Sequence, residues 1–289
     1  MTATAADAGR IASIRQRLLE GARARGEELQ YVLDRFAVER FLYRLSISPH
    51  REQFLLKGAM LFALWFEQPH RPTRDADFLG FGSPDPERLA AIARELCTIQ
   101  SNDGLNFDPA SIVVAPIREQ TNYGGFRLSL RAKLGRSLCS VQWDVGFGDA
   151  VTPAAIETDF PVLLKEFPAP HLRVYPRETV FAEKLEAIAS LGIANSRMKD
   201  YFDLRALIHE DAVNRVTLAA AIQATFERRG TPPLRDTPLG LTDAFSADAQ
   251  KQALWNAFLR RNRLPSLALH VVVGEIRTFV HSVCLKAPS

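Results

Sequence analysis

Asp75 and Asp77 stand two residues apart in Arg71-Pro72-Thr73-Arg74-Asp75-Ala76-Asp77-Phe78, and the run continues Leu79-Gly80-Phe81. This run reads as a strand. Side chains on a strand alternate between its faces, so both carboxylates project from the same one. Two carboxylates side by side repel unless a divalent cation lies between them. Mg²⁺ held by one or two carboxylates plus substrate phosphates is a common arrangement. The chemistry this suggests is phosphoryl or nucleotidyl transfer. A third acid, Asp144, lies on the polar side of another strand-like run, Gln142-Trp143-Asp144-Val145-Gly146-Phe147-Gly148-Asp149. If the two strands are neighbours, three acids converge on one patch of sheet. Two Mg²⁺ ions held there would align an attacking oxygen with an α-phosphate and neutralise the departing pyrophosphate. Taken alone, Asp144 reads better as the end of a strand before a Gly-rich turn, where Asp is common. Beside Asp75 and Asp77, the site reading is favoured.

Upstream, Lys57-Gly58-Ala59 precedes an apolar run. A glycine leading into a helix lets backbone N–H groups approach a phosphate closely, and Lys57 would add a positive group. A lone Lys-Gly pair is otherwise a solvated lysine beside a turn; its place just before an acidic strand raises it. Downstream, Lys184 lies in Glu178-Thr179-Val180-Phe181-Ala182-Glu183-Lys184-Leu185-Glu186, and the next helix carries Arg197, Lys199, Asp200 and Asp203. Asp200 and Asp203 share a helix face. Spacing alone leaves these groups as salt bridges on solvated faces, and that reading is retained for Glu178, Glu183 and Glu186.

The elements that must position these groups follow from periodicity. Residues 8–45 read as helical, with Gly21 and Gly26 marking a break. A tight turn at Gly58 leads into a buried helix over residues 59–66, ended by Pro69 and Pro72. A strand over 75–81 precedes a helix opening at Pro84-Asp85-Pro86-Glu87 and running to 98. Strands are expected over 111–117, 125–133 and 137–145. In the last, Val141, Trp143 and Val145 face one way and Ser140, Gln142 and Asp144 the other. Residues 160–164 read as a further edge strand. Helices follow over 177–191, 197–209, 217–229, 247–261 and 267–285, and the Pro/Gly-rich stretch 230–242 reads as a flexible connection. The fold class is α+β: a small mixed sheet with a helical N-terminal segment and a helical C-terminal domain. The expected domains are residues 1–170, holding the α/β core, and 171–289.

The chain has 289 residues, 47% hydrophobic and 24% charged, enough for one large or two packed domains. A net charge of +3 leaves any nucleic-acid argument to local patches. Cys97, Cys139 and Cys284 are widely spaced and read as reduced thiols of a cytoplasmic protein. No apolar run is long enough for a membrane helix. The arginines near the N-terminus mimic a transit peptide, but Glu20, Glu27 and Glu28 with the spacing of Ile11, Ile14 and Leu18 fit an amphipathic helix better.

Taken in order, Lys57-Gly58-Ala59, Arg71-x-Thr73-x-Asp75-Ala76-Asp77, Asp144-Val145-Gly146-x-Gly148-Asp149, Glu178-x5-Lys184 and Arg197-x-Lys199-Asp200-x-x-Asp203 resemble the AbiEii/AbiGii family of nucleotidyltransferase-like toxins. That family lies within the DNA polymerase β-like nucleotidyltransferase superfamily. The resemblance runs from about residue 55 to 207. It implies a small sheet bearing the acids, a helical domain, Mg²⁺, a nucleoside triphosphate substrate and a toxin–antitoxin setting with a cognate antitoxin. Some relatives add nucleotides to the 3′ end of tRNA. By resemblance, Asp75 and Asp77 hold metal, Lys184 contacts the triphosphate and Asp200 is an active-site carboxylate. The metal role of Asp144 follows only from the wider superfamily. Thr73 keeps a hydroxyl where some relatives carry Ser. Ala59 replaces a second Gly: close approach survives, but a Ser hydroxyl contact made in superfamily relatives is lost.

An RNA acceptor requires a basic surface. The candidates are Arg127, Arg131, Lys133 and Arg136, and separately Arg260, Arg261 and Arg263. Two other readings use the same residues: transfer to a small molecule or a protein, and a nucleotide-binding module without catalysis.

Overall fold

Gly26 adopts φ +65°, a conformation glycine enters at little cost, and it separates helix α1 (Ala5–Arg25) from α2 (Leu29–Ser46). The computed structural model describes residues 5–66, 70–117, 124–210 and 213–284. Two units are distinguished: residues 1–148 with 156–174, and residues 149–155 with 175–289.

The first unit is built on a mixed sheet. Its strands are β1 (Phe54–Lys57), β2 (Ala76–Gly80), β3 (Leu105–Ile117), β4 (Gly125–Leu134), β5 (Ser137–Phe147), β6 (Ile156–Asp159) and β7 (His171–Val174). Among the described residues they are ordered β3-β4-β5-β2-β1-β7-β6. β2 runs parallel to β5 and antiparallel to β1. The buried helix expected after Gly58 is short: one 3₁₀ turn, Gly58–Leu61, then α3 (Phe62–Trp65). Pro69, one of its expected terminators, lies outside the described residues. Helix α4 (Pro86–Thr98) starts as its sequence indicates, with the Asp85 side chain accepting from the Glu87 N–H.

One sheet face is apolar. Phe41 of α2 packs 4.8 Å from Trp143, and Phe54 and Phe78 lie 6.1 and 4.7 Å from the same ring. The expected alternation in β5 holds: Val141, Trp143 and Val145 are buried, while Ser140, Gln142 and Asp144 take the other face. β5 begins before β2 does, and there the Ser140 N–H donates to the Asp34 carboxylate of α2 at 2.9 Å. That satisfies a backbone donor no strand reaches.

Residues 160–164 are not a strand. Phe160 is buried with its N–H bonded to Pro170 O, and the Leu163 N–H donates to Glu39 at 2.6 Å. The edge pair is instead β6 with β7, whose short polar sequences carry little strand signal.

The second unit holds α5 (Arg177–Leu191), α6 (Met198–His209), α7 (Arg215–Arg229), α8 (Asp243–Ala247), α9 (Ala249–Arg261) and α10 (Leu269–Cys284). The helix expected over 247–261 is α9, capped by the Asp248 side chain accepting from the Lys251 N–H, and the short α8 precedes it. The stretch 230–242 is not a free connection. Tyr201 Oη donates to Gly240 O at 2.9 Å, Leu241 is buried, and a Cβ at 240 would meet Ile188 at 2.8 Å. Close packing explains Gly240, and the left-handed C-cap of α7, at φ +67°, explains Gly230. The three cysteines are free thiols. No helix among the described residues is long and apolar enough to cross a membrane.

Candidate active site

Strand register aligns four charged residues across the polar face of the sheet. Lys57 of β1 is opposite Asp77 of β2, Asp77 is opposite Asp144 of β5, and Asp144 is opposite Arg127 of β4. Registered neighbours on one face lie about 4.5–5.5 Å apart at Cβ. The row therefore reads cation, anion, anion, cation, with Asp77 and Asp144 adjacent. Asp75 falls just before β2, on the same face as Asp77 by strand alternation. Lys57, Asp75 and Asp77 are all half-buried.

Gly58 has a role the sequence did not indicate. It adopts φ +73°, and a Cβ there would fall on the Asp77 carboxylate, 2.7 Å from its Cγ. The glycine leaves room for an aspartate side chain, so close approach at this point is made by protein. Gly146 is not constrained in this way, since a Cβ there would lie in ordinary contact, 3.9 Å from Lys57 Nζ. The lysine side chain thus crosses β2 and ends beside β5.

Thr73 and Tyr31 hold the approach to Asp75. The Thr73 N–H donates to Tyr31 Oη at 3.2 Å, and Tyr31 Oη donates to Thr73 O at 3.3 Å. Thr73 Oγ1 reaches the Asp75 carbonyl only at 3.5 Å. The threonine acts here through its backbone, tying the strand's lead-in to α2.

Arg127 grips Asp144 with both prongs, Nε to Oδ1 at 2.8 Å and Nη2 to Oδ2 at 2.7 Å. Its side chain remains 46% exposed, against 18% for Asp144. The hydrogen bond to Asp144 holds the guanidinium above its ordinary pKa, with further attraction from Asp144, Asp75 and Asp77. Arg127 therefore senses all three acids. Sequence reading had placed it on an RNA-binding face; it is instead engaged within the acidic row. Arg131 and Lys133 continue the exposed face of β4, and neither forms an ion pair with a described residue.

Among the described residues no three of His, Cys, Asp and Glu are grouped as a metal-holding cluster. Asp75 and Asp77 are two half-buried carboxylates on one strand face, and Asp144, held by Arg127, lies beside them. Two carboxylates suit Mg²⁺, which keeps waters and substrate phosphates as its other ligands. The residues present fit such an ion.

In the second unit, Lys184 Nζ lies 2.8 Å from both Asp200 Oδ1 and Asp203 Oδ2. Arg197 Nε holds Asp200 Oδ2 at 2.7 Å. Both aspartates are fully buried. Burial pushes the Asp200 pKa up, but Lys184 and Arg197 outweigh it and hold the group below its ordinary value. The helix spacing thus encodes a buried, charge-balanced cluster, not a solvated face.

A further ionic group in this unit was misread in the sequence. Arg229 reaches Asp149 at 3.0 Å, Glu186 at 2.8 Å and Glu183 at 3.4 Å, and Thr231 Oγ1 donates to Glu186 at 2.6 Å. Glu183 and Glu186 are therefore not solvated, and Glu186 is only 5% exposed. Glu178 also has local work, accepting from the Asn214 N–H at 3.1 Å. The partners come from α7 and from residue 149, too distant in sequence for helix periodicity to reveal. Arg260 and Arg261 end α9, where cations favour the helix C-terminus.

Against known families, residues 40–269 match the nucleotidyl transferase AbiEii toxin of the type IV toxin–antitoxin systems. The chain belongs to the AbiEii family. It is a nucleotidyltransferase by that membership, and the motif order noted in its sequence agrees. The crystal structure of JHP933 from Helicobacter pylori aligns over 88% of this chain and 91% of its own, at a TM-score of 0.50 and 14% identity, a likeness of fold alone. A second H. pylori structure, described as a candidate nucleotidyltransferase, aligns over 84% of this chain and 90% of its own at 17% identity and a TM-score of 0.46, too low to carry an argument. No curated protein matches the AbiEii chain described here.

Proposed function

We propose that this AbiEii-family chain transfers a nucleoside monophosphate from a nucleoside triphosphate to the 3′ end of an RNA, with tRNA as the acceptor, and thereby stops translation. The observation that carries the reading is the registered row Lys57–Asp77–Asp144–Arg127 with Asp75 beside it. Asp75 and Asp77 would hold Mg²⁺, with Asp144 as the adjoining third acid. The ion, when bound, would supply positive charge to the triphosphate and the departing pyrophosphate. Lys57 places a cation at the rim of the acids, suited to a phosphate oxygen. Gly58 keeps Asp77 in position, and Thr73 fixes the strand lead-in that carries Asp75. The acceptor hydroxyl attacks the α-phosphate in line and pyrophosphate leaves, so the protein's contribution is positioning and charge compensation.

Arg131 and Lys133 support an RNA acceptor, since they extend the same polar face and are not engaged by described acids. In the helical unit, the family pattern assigns Lys184 to the triphosphate and Asp200 to the active site. The two are ion-paired to each other at 2.8 Å. Membership of a type IV toxin–antitoxin family implies a cognate antitoxin, and cytoplasmic action follows from the proposed tRNA substrate.

The test is incubation of purified protein with Mg²⁺ and each α-phosphate-labelled nucleoside triphosphate in turn. The acceptors are total tRNA, total protein or none, with Asp75→Ala alongside. Label in tRNA that vanishes with Asp75→Ala is the expected result and names the nucleotide. Label in protein alone replaces the RNA reading with transfer to protein. Nucleotide binding without any transfer makes the chain a binding module.

A further inference from the structure

The polar face of the sheet continues past the acid row along β4. Ser129, Arg131 and Lys133 follow Arg127 at intervals of two, so all four take the same face. Arg127 is opposite Asp144, which joins this line to Asp77 through β5. Beyond it, Ser129 is opposite Gln142, Arg131 opposite Ser140 and Lys133 opposite Leu138. On the other flank, Val113 is opposite Ser129 and Asp108 is opposite Arg131. Arg131 and Lys133 are exposed, and neither is ion-paired to a described residue. The Asp108 carboxylate instead accepts from the Ala110 N–H at 3.0 Å, within the bulge of β3. The flanks also expose apolar side chains, Val113 at 60% and Leu138 at 57%. A hollow of about 240 Å³ is lined by Asp108, Arg131, Lys133 and Leu138.

We infer that this line is the track for the acceptor: an unpaired 3′ strand of RNA lies along β4, with phosphates on Arg131 and Lys133 and its terminal hydroxyl at the acid row. This path rests on the RNA-acceptor reading proposed above, to which it adds the route, length and single-stranded form of the RNA. Residues two apart on a strand are separated by about 6.8 Å, close to the step between phosphates of an extended nucleic-acid chain. One line of cations with that stride matches one sugar-phosphate chain, whereas a duplex presents two chains on either side of a groove. Three strides lead from Arg127 to Lys133, about 20 Å. The track therefore holds about three nucleotides behind the terminal one. Val113 and Leu138 offer apolar surface to base faces, with no hydrogen-bonding pattern to read them. Binding then depends on strand length and salt, not on sequence. An acidic protein would meet the same two cations, but the regular stride favours a polymer with one charge per repeat.

The experiment measures binding of the full chain, without nucleotide, to labelled RNA hairpins by fluorescence anisotropy over a series of salt concentrations. The hairpins carry 3′ overhangs of none, two, four or six nucleotides. Affinity for wild type is expected to rise with overhang up to about four nucleotides and then level. The Arg131→Gln/Lys133→Gln variant is expected to bind the four-nucleotide overhang about tenfold more weakly. Its salt slope should fall by about 1.4, or about 0.7 for each lost phosphate contact on a single strand. Arg131→Lys/Lys133→Arg, which keeps both charges, should retain the affinity and the slope of wild type. Equal affinity and slope for wild type and the Gln variant overturn the inference. So does affinity independent of overhang length, which means duplex recognition. Polyglutamate that binds wild type as tightly as RNA of equal charge, and is lost in the Gln variant, assigns the face to an acidic protein and also overturns it. The track and the transfer reading fail separately. Label in tRNA with unimpaired RNA binding by the Gln variant keeps transfer and removes the track. Overhang-dependent binding that the Gln variant loses, with no label in RNA, supports the track and removes RNA as the nucleotide acceptor. Thermal unfolding checks that the variants are folded; should the Gln double variant be unfolded, Arg131→Gln and Lys133→Gln singly decide.

Discussion

The Asp77 carboxylate occupies the space a side chain on residue 58 would need. A Cβ there would lie 2.7 Å from Asp77 Cγ and 2.8 Å from its Cβ, on a backbone already at φ +73°. Gly58→Ala should therefore both strain the backbone and displace the aspartate. The expected cost is about 1–3 kcal/mol in chemical denaturation, together with a loss of nucleotide transfer larger than the loss of stability explains. Unchanged stability and turnover would show that Gly58 is only a turn residue.

Asp75 has no part in the apolar core, so its removal should separate activity from stability. Asp75→Ala is expected to lower transfer by about a hundredfold or more while shifting stability by about 1 kcal/mol or less. Full turnover in this variant would remove Asp75 from the metal set.

Lys184 is a different case, because it neutralises two fully buried aspartates. Lys184→Met should cost about 3–5 kcal/mol, most of it from two buried carboxylates losing their shared ammonium, although Asp200 keeps Arg197. Adding Asp200→Asn and Asp203→Asn should recover a large part of that loss. If Lys184→Met is as stable as wild type in urea, the cluster is not what holds α5 to α6. Asp200 is held below its ordinary value of 3.8. Its contribution is therefore present above that pH and is lost as pH falls through the lower folded value.

Glu39 works in the opposite sense. Burial raises its pKa from 4.5 to about 7, against the pull of Arg40 and of the Leu163 N–H. Between those values the folded chain keeps a proton that the unfolded chain has released. Stability therefore falls as pH rises from 4.5 to about 7, by something on the order of 2–3 kcal/mol. Glu39→Gln should flatten that slope when unfolding free energy is measured across the window. An unaltered slope would assign the pH dependence to another group.

Much of the local structure was legible in the sequence. The alternation of β5, the capped start of α4 and the break near Gly26 all follow from propensity and from side-chain period, which neighbours in the chain decide. The errors fall where distant residues decide. Residues 160–164 were apolar enough for a strand, yet their backbone bonds went to Glu39 and Pro170. Glu183 and Glu186 looked like a solvated helix face until Arg229 arrived from α7.

The same division holds at the candidate site. The sequence by itself determined which groups were available: two aspartates with strand spacing, a third acid on another strand, and a lysine–glycine pair upstream. Those are matters of residue type and short-range periodicity. Only the tertiary structure decided that Lys57, Asp77, Asp144 and Arg127 share one row, because strand order and register arise from long-range pairing. It also decided that Arg127 serves Asp144 and that Gly58 makes room for Asp77. Both relations join residues on different strands, where packing across the sheet sets the contact and spacing along the chain carries no record of it.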